Sequence, residues 1–183
     1  MQSSIDTSEV AAKFKLLLLG DEQVGKTSFI NRYKTPNTEK KKVGSSEIEV
    51  SSIRFATSYG VVEFNIWEAV GKEGYANQPE EFYTDADCVI LMFDCTSRVT
   101  YKNTPNWFKE VTKRVESIPI VMIGNKFDAQ KDIRVKPKQI TFHRKRNFTF
   151  FAISAKANYN WEAPFISLLR SFLDLKNLSI SNH

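Results

Sequence analysis

Apolar residues fall into short runs divided by glycines and charged stretches, and the period of the pattern changes along the chain. Residues 13–19 (KFKLLLL) form an apolar run that stops at Gly20, too short for a stable helix and readable as a buried strand. Residues 27–33 (TSFINRY) then place Phe29, Ile30 and Tyr33 at helical spacing. Residues 34–47 are polar and lysine-rich with no hydrophobic period, which predicts a long loop. Two alternating segments follow, 48–55 (IEVSSIRF) and 61–67 (VVEFNIW), joined through the turn signal Ser58-Tyr59-Gly60 as a hairpin. Residues 68–80 are again irregular.

Beyond that point strands and helices alternate. Strands are predicted at 88–94, 119–125 and 148–154. Helices are predicted at 103–115, with Pro105 in the first turn, at 137–145 and at 160–175. The last carries apolar Trp161, Phe165, Ile166, Leu168, Leu169, Phe172 and Leu173. This order predicts an α/β domain with a mostly parallel sheet and helices on both faces, the hairpin adding one antiparallel edge strand. The expected organisation is an N-terminal tail at 1–12, one domain at 13–176 and a short tail at 177–183.

The chain has 183 residues, enough for one domain with a single substantial core. A hydrophobic fraction of 42% and a charged fraction of 26% exclude the disordered and low-complexity classes. No apolar stretch reaches bilayer-spanning length, residues 1–12 lack a signal-peptide core, and neither end offers a lipidation box, so no membrane anchor is expected. Cys88 and Cys95 lie seven positions apart on one predicted strand, too far to bridge, and are expected as buried free thiols. A net charge of +5 suits acidic partners and does not argue for nucleic acid.

Three motifs carry chemistry. Gly20-Asp21-Glu22-Gln23-Val24-Gly25-Lys26-Thr27 fits G-x-x-x-x-G-K-[ST], and it lies between a predicted strand and a predicted helix, where such a loop can wrap phosphate in backbone N–H groups. Lys26 would set a positive charge on the β- and γ-phosphates, and Thr27 would offer a hydroxyl to Mg²⁺. Asn125-Lys126-Phe127-Asp128 follows the predicted strand at 119–125. A carboxylate such as Asp128 can accept from guanine N1–H and the exocyclic amine, a donor pair adenine lacks. This argues against an adenine-nucleotide kinase or ATPase. Ser154-Ala155-Lys156 means little alone, but as a third element in this order it completes a purine pocket at strand-to-loop junctions.

The order G-x-x-x-x-G-K-T, W-x-x-x-G, N-K-x-D and S-A-K resembles the Ras superfamily. Residues 90–107, 118–128, 141–147 and 152–160 resemble its Ran family more closely, and the similarity runs from about Phe14 to about Leu173. The resemblance implies a P-loop NTPase fold with a six-stranded sheet and helices on both faces. It implies binding of GTP or GDP with Mg²⁺ through Asp21, Glu22, Gln23, Val24, Gly25, Lys26, Thr27, Ser28, Gly71, Asn125, Lys126, Asp128, Ser154, Ala155 and Lys156, with Thr27 and Ser45 on the metal. It also implies a monomer of the nucleus and cytoplasm without direct nucleic-acid contact. Its partners would be importin-β-class transport receptors and Ran-type regulators, whose acidic surfaces would meet His143–Arg146 and the lysines at 40–42.

The chain departs from that family at the catalytic positions. Glu22 stands where the family has glycine beside the γ-phosphate. Residues 68–73 (EAVGKE) stand where it has D-T-A-G-Q-E, so Lys72 occupies the position of the water-orienting glutamine. Glu68 replaces the aspartate on the Mg²⁺ side with a carboxylate one methylene longer. Two readings follow: a fully cycling Ran-type GTPase, and a nucleotide-loaded binding module that barely hydrolyses. Glutamine positioning and an arginine finger together account for about 10⁵-fold in this chemistry, so losing the glutamine favours the second.

Overall fold

The structure, a computed structural model, describes residues 9–36, 38–43, 46–70 and 78–173. Among the described residues, seven strands form one sheet: β1 (Val10–Leu19), β2 (Thr38–Val43), β3 (Ser46–Thr57), β4 (Gly60–Val70), β5 (Cys88–Asp94), β6 (Ile120–Asn125) and β7 (Thr149–Ala152). Their order is β2-β3-β4-β1-β5-β6-β7. The pairs β1–β4, β1–β5, β5–β6 and β6–β7 are parallel, while β2–β3 and β3–β4 are antiparallel. The helices are α1 (Lys26–Asn31), α2 (Glu80–Tyr83), α3 (Arg98–Arg114), α4 (Phe142–Arg146) and α5 (Ala163–Leu173).

The sheet divides the core in two. On one face Leu16, Leu18, Phe64 and Ile66 pack with Phe29 of α1 and Phe165, Leu168 and Leu169 of α5. On the other, Leu17, Leu19, Leu91 and Phe93 pack with Phe82 of α2 and with Trp107 and Val111 of α3. Alternate residues of β1 therefore serve opposite layers, as the two-residue period of a strand requires. All seven residues of β5 are buried, the signature of a central parallel strand covered on both faces.

Four expectations need correction. Among the described residues the sheet has seven strands, not six, because Thr38–Val43 within the predicted loop pairs with Ser46–Ser51 and becomes the outer edge. β1 starts at Val10, inside the expected tail, with Val10 and Ala12 in register with Val61 and Val62. The helix predicted at 137–145 is split into a 3-10 turn, Pro137–Gln139, and α4. The Tyr101 hydroxyl holds the break: it donates to Gln139 O at 3.0 Å and accepts from the N–H of Thr141 and Phe142 at 2.9 and 3.3 Å.

The fourth concerns α3, which begins at Arg98, so that Pro105 lies inside it. An internal proline strips the carbonyl four residues back of its helical donor. Here Thr104 Oγ1 donates to Tyr101 O at 2.7 Å and fills that vacancy, so the helix continues.

Candidate guanine-nucleotide site

The carboxyl ends of β1, β6 and β7 carry the loops that hold the three motifs, next to the point between β1 and β5 where the strand order reverses. Gly20 closes β1 against β5: a Cβ there would run into Met92 O. Gly25 has φ +97°, and a Cβ there would strike Asn125 Nδ2. The two glycines thus let the loop lie closer to β5 and to Asn125 than any side chain would allow.

Lys26 folds over this loop, with Nζ 2.9 Å from Gly20 O and 3.0 Å from Asp21 O. It has no carboxylate within salt-bridge reach among the described residues. Burial lowers its pKa, against the opposing fields of Glu68, Asp21 and Glu22. A cation desolvated beside carbonyl oxygens favours an incoming anion.

Distant elements hold the loop in place. Asp21 accepts from Asn103 Nδ2 at 2.6 Å and from Trp107 Nε1 at 2.8 Å, both on α3. Asn125, buried at the end of β6, donates from Nδ2 to Val24 O at 2.9 Å and accepts the Ala155 N–H on Oδ1 at 3.0 Å. A single side chain therefore ties the phosphate-side loop to both base-side loops. Lys126 donates to Gln23 O at 2.8 Å and pairs with Asp94 Oδ2 at 2.6 Å, while Asp94 Oδ1 is capped by the Thr96 N–H and hydroxyl.

Asp128 accepts the Ser154 hydroxyl on Oδ1 at 2.6 Å, and its other oxygen has no partner among the described residues. Ser154 is fixed in turn by accepting the Ala157 N–H at 2.9 Å. Lys156 is exposed beside these loops, and Ser28 is exposed on α1. Thr27 Oγ1 donates to Glu68 Oε1 at 2.8 Å; Glu68 sits on β4 in register with Leu18 of β1. Burial raises the Glu68 pKa, partly offset by the Thr27 hydrogen bond and the Lys26 field.

The sequence model of the Ras family matches residues 15–174. The chain belongs to the Ras family. Ras-family proteins are GTP-binding switches that take guanine nucleotide with Mg²⁺ and act through regulators and effectors, and the residues here fit that ligand set. The glycine-bounded loop after β1 and the desolvated Lys26 fit a phosphate chain. Asp128 with a free oxygen fits a base donor, and the hydroxyl–carboxylate pair Thr27–Glu68 supplies the hard oxygen ligands Mg²⁺ prefers. When bound, the ion would neutralise phosphate charge. Within this Ras-family fold, Asp21 to Ser28, Asn125 to Asp128 and Ser154 to Lys156 meet at one end of the sheet. Ser45, Gly71 and Lys72 lie outside the described residues.

Sequence reasoning missed Asp94, Asn103 and Trp107, which position the motif residues from outside the motifs. Only Asp94 carried a readable signal, as an acidic residue at the carboxyl end of an apolar strand.

Proposed function

We propose that this Ras-family protein is a Ran-type guanine-nucleotide switch in nucleocytoplasmic transport, monomeric and present in nucleus and cytoplasm, that holds GTP or GDP with Mg²⁺ and hydrolyses GTP slowly or not at all. The observation that carries the hydrolysis reading is Glu22. It sits exposed on the phosphate-side loop, near enough for its carboxylate to act on the Lys26 ammonium. A negative charge there repels the γ-phosphate and crowds the attacking water. Lys72 at the glutamine position removes the group that would orient that water. The 10⁵-fold at stake corresponds to about 7 kcal/mol of barrier.

The transport reading rests on the Ran-like stretches at 90–107 and 118–128 and on two exposed basic clusters. One is Lys40 and Lys41 on β2; the other is Arg144, Lys145 and Arg146 on α4. Both suit an acidic receptor surface. The test is equilibrium binding of an importin-β-class receptor to the chain loaded with GTP or with GDP. Binding at least 100-fold tighter to the GTP form is expected, while equal affinity for the two forms contradicts the reading.

A further inference from the structure

Four serines or threonines follow an arginine by three residues: Thr35, Thr57, Ser117 and Thr149. The first three are poorly placed to be modified. Thr57 is buried and donates to Gly60 O at 2.8 Å. Arg114, ahead of Ser117, is held by Glu110 at 2.6 Å and by Glu80 at 3.3 Å. Thr35 precedes Pro36, which offers no N–H beside the hydroxyl. Thr149 is exposed, and its hydroxyl has no hydrogen-bond partner among the described residues. It alone follows two arginines at this spacing, Arg144 five residues before it and Arg146 three, with the apolar Phe150 directly after. Arg144, Lys145 and Arg146 are exposed and make no ion pair among the described residues.

This pattern has a stereochemical meaning once the segment is extended. Residues three and five before Thr149, and one after it, fall on one side of an extended chain, and the hydroxyl falls on the other. At about 3.3 Å per residue, the two guanidinium groups stem from points roughly 10 and 17 Å along the chain from the acceptor. An enzyme that reads arginine does so with carboxylates that take the guanidinium fork at two points.

The fold lets the segment open. β7 has four residues and is an edge strand, and Thr149 is its first residue, opposite Val121. α4 has five residues, fewer than a helix needs to hold in water by itself, and the bonds that close its ends run from 3.1 to 3.4 Å. Short elements at a sheet edge open locally at low cost.

We infer that Thr149 is a phosphoacceptor for a protein kinase of the arginine-directed class. Thr149 Oγ1 attacks the γ-phosphorus of the kinase's ATP and gives its proton to the catalytic aspartate of the kinase. The bond from the γ-phosphorus to the β–γ bridging oxygen breaks, and ADP leaves. The product has room in the fold. Arg146, Phe148 and Thr149 line an open cavity of about 680 Å³, where the Arg146 guanidinium rests over the Phe108 ring. The new phosphate brings about two negative charges to the three positive charges of Arg144, Lys145 and Arg146, and leaves the patch near +1. Neither the hydroxyl nor its arginines belong to the nucleotide site, so the modification stands apart from the switch reading above.

The experiment incubates the full chain, its fold checked by circular dichroism, with Mg²⁺, ATP and a purified arginine-directed kinase. A standard peptide substrate verifies that the kinase is active, and tandem mass spectrometry locates the phosphate. Stoichiometric phosphate at Thr149 is expected, retained at that position in Thr149→Ser and absent from it in Thr149→Val, which keeps the β-branched shape. Arg144→Lys and Arg146→Lys keep the charge and lose the fork, and each should lower the kcat/KM of the kinase by about 10-fold or more. Three results would overturn the inference: no phosphate at Thr149 while the peptide is turned over, phosphate there only after the chain is heat-unfolded, or an unchanged kcat/KM in both lysine variants.

Discussion

Replacing Asn125 by alanine tests whether one side chain ties the phosphate-side and base-side loops into a single site. Asn125 is 2% exposed and makes two hydrogen bonds, to Val24 O at 2.9 Å and from Ala155 N at 3.0 Å. The partners span 101 residues in one direction and 30 in the other. Alanine removes both bonds and leaves a carbonyl and an N–H with no partner in a place water reaches poorly. At roughly 1–2 kcal/mol for each bond lost, the cost is about 2–4 kcal/mol. A domain of this size loses about 2–4 °C in Tm per kcal/mol, which predicts a fall of roughly 5–15 °C. The assay is thermal unfolding by circular dichroism without nucleotide, in chelator, followed by calorimetric titration with GDP. Asn125→Asp is the informative companion: it can still accept from Ala155, but it turns a carboxylate toward Val24 O and should recover none of that half. A Tm within about 2 °C of wild type for Asn125→Ala would refute the idea that this residue fastens the loops together.

Gly25→Ala places a Cβ against Asn125 Nδ2 at a left-handed backbone position. It should weaken GDP by about 100-fold or more by titration calorimetry, and its stability cost should be less than additive with Asn125→Ala because both break the same tie. Asp128→Ala should weaken GDP roughly 10- to 100-fold while leaving the weak binding of ADP unchanged, measured by displacement of a fluorescent nucleotide. Burial pushes the Cys95 thiol up to about 12 and the Cys88 thiol well above its ordinary value. Neither should react with a disulfide reagent at pH 8 in the native protein, and both should react at once in guanidinium; fast native labelling would contradict the described core.

The three motifs were legible because each is contiguous and each sits at the end of a strand that its own apolar run announces. The order of strands and helices was legible for the same reason. The strand β2 was not. Glu39, Lys40 and Lys41 are exposed, so no side-chain period marks the segment. What makes it a strand is backbone pairing with β3, and lysines along an outer edge protect it from further pairing. The start of α3 was hidden by Pro105, which looks like a first-turn residue until the Thr104 hydroxyl is seen to satisfy Tyr101 O. Within the site, the sequence marks Asp21 as a loop position but gives no sign that Asn103 and Trp107 hold it from 82 and 86 residues away. Contacts of that range arise from the packing of α3 on the sheet, and a local pattern does not encode them.

On the function proposed, Glu22 and Lys72 leave a guanine-nucleotide switch unable to turn itself off. Single-turnover hydrolysis of GTP preloaded on the full chain tests it most directly, with and without a Ran-type activating protein and beside the double variant Glu22→Gly/Lys72→Gln. The natural chain should be inert in both conditions and the double variant should hydrolyse, with acceleration by the activating protein approaching about 10⁵-fold. Hydrolysis by the natural chain at the rate of the double variant would contradict it.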